Sequence, residues 1–178
     1  MKKTLTVIIA LVLVVVMSVA GTVAYLTATT GPVVNTFTVG NINITLTEAA
    51  DDFKMVPGND ITKDPKVTVV GDSEACWLFV KVEESDNLDD FVTYNIAEGW
   101  TELTDGSGVF YREVAASTSD QVFSVLANDK VTVKDTVTKT MMDNLDKDGV
   151  TKPTLTFTAY AVQKDNIADA ATAWEKVA

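Results

Sequence analysis

The sequence predicts an all-β domain, a jelly-roll-like antiparallel β-sandwich with one or two short helices. Three observations carry this. Apolar and polar residues alternate with a period of two along several short runs, turn residues separate those runs, and helical spacing of apolar residues is scarce. Many short strands with few helices exclude an α/β layout and favour a sandwich.

The chain opens on a different pattern. Lys2 and Lys3 precede an uninterrupted apolar run over residues 7–17, which softens through Ser18, Gly21 and Thr22 into Ala24. This is the three-part layout of a secretory signal peptide, and it places cleavage between Ala24 and Tyr25. An uncleaved anchor over residues 5–23 is the competing reading, although the apolar run falls short of the roughly 20 residues that span a bilayer. A lipoprotein would need a cysteine directly after the run, and the sole cysteine is Cys76. A type IV prepilin would carry a glutamate just inside its apolar stretch, whereas the first acidic residue is Glu48.

The expected organisation is therefore a cleaved segment at 1–24, an N-terminal segment at 25–40, and a β-sandwich domain at 41–178. A body of this length suits one hydrophobic core. With a single cysteine no intrachain disulfide forms, so packing and strand pairing must hold the domain together. Cys76, between Ala75 and Trp77 at the start of an apolar run, reads as a buried thiol acting as a small hydrophobe.

Within the body, Ile42, Ile44 and Leu46 share one face of a strand, preceded by a Val- and Thr-rich strand over residues 34–39. Pro57 and Gly58 mark a turn, and residues 66–70 form the next strand. Residues 77–84 read as a central strand, because Leu78, Val80 and Val82 lie on one face while Trp77 and Phe79 cover the other. Residues 100–104 and 109–114 flank Asp105-Gly106-Ser107-Gly108, a hairpin connection. Strands follow at 121–126, 130–133 and 154–162, the last with Leu155, Phe157, Ala159 and Ala161 on one face. Helices are expected at 136–145 and 167–174.

Composition narrows function. The chain has no histidine, which excludes Ser-His-Asp and Cys-His pairs and imidazole-based zinc motifs. Asp135-Thr136 is followed by Val137 where an aspartic-protease loop needs glycine. Catalysis is thus not expected. With 14 Lys+Arg against 25 Asp+Glu the formal net charge is −11, and two units more negative once Lys2 and Lys3 are removed. Such a surface repels nucleic acid and anionic lipid. Asn144, Asp146 and Asp148, followed by Gly149, match the first half of a calcium loop. The position of the bidentate glutamate is held by Leu155, so a solvated turn is the rival reading and calcium the one cofactor that the sequence suggests.

Gly21-Thr22-Val23-Ala24-Tyr25-Leu26, with the Asn35-Thr36-Phe37-Thr38-Val39-Gly40 block, resembles the N-terminus of the TasA and camelysin family of Gram-positive bacteria. Looser similarity runs through Pro57-Gly58, residues 77–84 and residues 160–162. The resemblance implies processing by a SipW-like signal peptidase and a jelly-roll-like subunit of secreted biofilm-matrix fibres or of the cell surface. It implies partners that are further copies of the chain, with other matrix proteins as additional candidates. No membrane attachment is expected after processing. Growth by donor-strand exchange would draw on residues 25–39, with Leu26, Val33, Val34, Phe37 and Val39 as the apolar side chains offered to a neighbour. An ordinary first strand docked in its own sheet is the alternative for that segment. A monomeric surface module or adhesin, binding through loops such as residues 98–107, is the rival function. The peptidase activity ascribed to some family members finds no zinc motif here.

Overall fold

The computed structural model describes residues 41–48 and 55–177. They fall in a single compact unit, Val39–Ala178. Cleavage at Ala24 and Tyr25, the strand over 34–39, and the donor residues Leu26, Val33, Val34, Phe37 and Val39 lie outside the described residues.

The fold is all-β. In chain order the described strands are β1 (Ile44–Thr47), β2 (Asp60–Thr62), β3 (Lys66–Val69), β4 (Cys76–Glu84), β5 (Val92–Thr93), β6 (Thr101–Glu102), β7 (Val109–Val114), β8 (Gln121–Ser124), β9 (Lys130–Val133) and β10 (Leu155–Gln163). Two short helices, α1 (Lys139–Leu145) and α2 (Ala170–Trp174), accompany them. Three sheets result, ordered β1-β3-β8, β10-β4-β7-β6 and β2-β9-β5. Every pairing is antiparallel.

β4 organises the molecule. Its alternation sends Cys76, Leu78, Val80 and Val82 to one face, where they pack with Val67 and Val69 of β3 and Val114 of β7. Ile42, Ile44, Phe157, Ala159 and Ala161 close the margins of this core, which two sheets share. Trp77 and Phe79 point the other way and are covered by Ala170 and Ala173 of α2, with Tyr160 and Trp174 alongside. Burying each large apolar side chain is worth about 1.5–3 kcal/mol, so a strand buried on both faces holds both layers. A third cluster, Leu88, Phe91, Val92, Val133, Val137 and Leu145, joins the small sheet to α1.

The sequence places most boundaries within a residue or two; the exceptions have local causes. The helix expected from residue 136 begins at Lys139, because the Thr138 side chain accepts the Met141 N–H at 3.3 Å and caps it. The helix expected from residue 167 begins at Ala170, after the Asp169 carboxylate accepts the Thr172 N–H at 2.7 Å. β2 and β5 are absent from the sequence reading, since two or three residues show no period. The strand expected over 100–104 shrinks to β6, yet the hairpin stands: the Leu103 N–H donates to the Val109 carbonyl at 2.8 Å and the Ser107 N–H to the Thr104 carbonyl at 2.9 Å. Gly108 is required there, with φ at +66° and with any Cβ falling 2.7 Å from the Val82 carbonyl oxygen.

Candidate assembly groove

β1 and β10 are the outer strands of their two sheets, and each has one pairing partner among the described residues, β3 and β4 respectively. They lie close to each other along one side of the sandwich. Such edges present backbone N–H and C=O groups to any incoming strand. Beside them runs a groove of about 970 Å³. Leu46 of β1, Ile61 of β2, Leu145 of α1, and Leu155 and Phe157 of β10 supply its apolar walls.

Each wall residue is placed by the period of its element. Leu46 continues the face of Ile42 and Ile44, but those two reach the shared core while Leu46 runs past it and stays 36% exposed. Leu155 and Phe157 leave the core side of β10 at the end where β4 turns acidic, opposite Glu84 and Val82 in register. Four charged residues also line it, the exposed Asp146 and Lys152 and the pair Glu48 and Lys63. Lys63, only 9% exposed, donates from Nζ to Oε1 of Glu48 at 2.6 Å and lies 5.4 Å from the centre of the Phe157 ring. The groove is thus more apolar than polar, with its buried cation countered by Glu48, a surface suited to a hydrophobic strand or peptide.

Cys76 is fully buried, and desolvation pushes its thiol up to about 11, away from the thiolate that nucleophilic attack requires. The Tyr94 hydroxyl donates to the Glu84 carboxylate; burial, then that bond, raises the phenol above its ordinary range. The calcium candidates Asn144, Asp146 and Asp148 are exposed at the end of α1. The Asn144 side-chain oxygen accepts from Lys147 Nζ at 2.6 Å. Among the described residues no group of three or more Asp, Glu, Cys or His side chains is arranged to hold a metal ion.

No helix among the described residues is long and apolar enough to cross a membrane. Comparison with family models, with curated proteins and with solved structures found no match.

The groove was not foreseen from the sequence. Its signal was present in part, as the apolar alternation that continues through Leu46 and Leu155 past the strands' buried stretches.

Proposed function

We propose that the mature chain is a secreted structural subunit that assembles head-to-tail into extracellular biofilm-matrix fibres. The observation that carries this reading is the apolar groove bordered by the outer edges of β1 and β10. The occupant is the N-terminal segment of another copy, residues 25–40, in which Leu26, Val33, Val34, Phe37 and Val39 supply apolar side chains. Backbone pairing at an edge gives affinity and the side-chain pockets beside it give register. Because donor and acceptor are different surfaces, the contact does not close on itself, and it propagates as a filament. The resemblance to the TasA and camelysin family supports the same reading, with a SipW-like peptidase freeing the segment at Tyr25.

Negative-stain microscopy of two forms, one starting at Tyr25 and one at Asn41, tests it. Filaments from the longer form alone are expected. Monodisperse particles from both forms at high concentration would move the surface-adhesin reading ahead.

A further inference from the structure

Arg112 is the one arginine in the chain, and it lies on an inward-facing position. It stands opposite Leu78 in the β4–β7 register, on the same face of β7 as Phe110 and Val114, both of which belong to the shared core. Its aromatic neighbour Phe123 is on β8, which with β6 and β7 lies toward the ends of the two sheets opposite to β1 and β10. The guanidinium carbon lies 3.9 Å from the centre of the Phe123 ring and 5.3 Å from that of Trp100. Trp100 is itself fixed, its indole N–H donating to the Ser124 carbonyl at 2.9 Å. Stacking on aromatic faces is a mode that arginine's planar, weakly hydrated head favours.

What this cation lacks is a counter-charge. Its Nε is buried with no hydrogen-bond partner, and no ion pair or hydrogen bond reaches it from any described residue. The nearby acids are engaged elsewhere: Glu113 with Lys164, and Glu102 with the Gly108 N–H. Glu98, one residue before Gly99, is exposed and pairs with nothing described. Gly99 adopts φ of +88°, and a Cβ there would lie 3.0 Å from one terminal nitrogen of the guanidinium. A side chain at 99 would crowd the fork that glycine leaves clear. Desolvation works against the charge, yet an arginine remains protonated in proteins, so an anion and not loss of a proton would relieve it.

We propose that Arg112, held between Trp100 and Phe123, is a carboxylate-binding site. A planar carboxylate matches the two-pronged fork, whereas the chain's net charge of −11 disfavours more highly charged anions. The carboxylate comes either from a small free acid or from an Asp or Glu of a second copy, of which each chain carries 25.

A single arginine gives a single Nε–H signal in a nitrogen-15 NMR spectrum, and the Trp100 indole N–H beside it gives a second. The measurement uses the mature chain at concentrations where light scattering shows it monodisperse. Titration with sodium acetate is expected to shift both signals with saturation, while sodium chloride at equal ionic strength does not. In Arg112→Lys, which keeps the charge and loses the fork, the Trp100 response to acetate should fall several-fold with the melting temperature little changed. A parallel dilution series without acetate separates the sources: movement of the Nε–H signal with protein concentration assigns the carboxylate to a second copy, and constancy assigns it to a free acid. Equal responses to acetate and chloride, or no response in either series, would overturn the proposal.

Discussion

Cys76 sits at the base of β4 with its thiol fully enclosed, and its raised pKa has two consequences. A thiol reagent should label the native protein at a rate limited by unfolding, and labelling as fast as that of a free thiol would contradict the burial. Because the folded thiol titrates near 11 and an ordinary one near 9.0, its contribution to stability is complete below about pH 9 and is lost as pH rises through 11. Denaturant midpoints across that window should fall, and Cys76→Ala or Cys76→Val should flatten the fall. The carboxyls work at the other end of the scale. Lys130, then Thr132, holds Asp60 below its usual range, and the Thr172 N–H does the same for Asp169. Their stabilisation is present above pH 3.8 and disappears as pH drops below it, so the Asp60→Asn, Asp169→Asn double variant should show a shallower acid limb.

Among the elements, β4 bears most of the packing, and Phe79 shows how. It is fully buried, with the Trp174 ring centre 5.2 Å away and that of Tyr111 at 6.4 Å. Phe79→Ala should lower unfolding free energy by about 3–5 kcal/mol, read by urea titration, because a cavity opens beneath α2. Thr138→Ala, at the cap of α1, should cost about 1 kcal/mol. Most strands were legible in the sequence because period two survives wherever one face is core: Leu78, Val80 and Val82 announced β4, and Leu155, Phe157, Ala159 and Ala161 announced β10. β5, with Val92 and Thr93 alone, was invisible, since its pairing with β9 is set by the tertiary position of Phe91 and Val133. Helix starts were misjudged for a related reason. Apolar spacing through Val137 and Ile167 extends beyond the helices, while the caps that set their limits are the polar residues Thr138 and Asp169.

On the scale of the whole molecule, the two sheets leave one side bordered by the edges of β1 and β10 and place Arg112 toward the other. Each feature was legible only in part, as the alternation through Leu46 and Leu155 and the strand parity of Arg112. The groove depends on where Leu46 and Phe157 come to rest after three sheets pack, and the surroundings of Arg112 depend on Trp100 and Phe123, which other segments bring beside it. The all-β class was legible because it is a sum of local periods, whereas both candidate surfaces are made by residues far apart in sequence. Assembly through the groove is the central claim, and Leu46 is the residue to change. It lines the groove, is partly exposed, and contributes little to the shared core, so Leu46→Glu should leave thermal unfolding within a few degrees of the parent. Side-by-side microscopy of the mature chain, from Tyr25, with and without this substitution is the decisive measurement. Filaments from the parent and monomers from the folded Leu46→Glu chain are expected; filaments from both would show that growth does not pass through the groove.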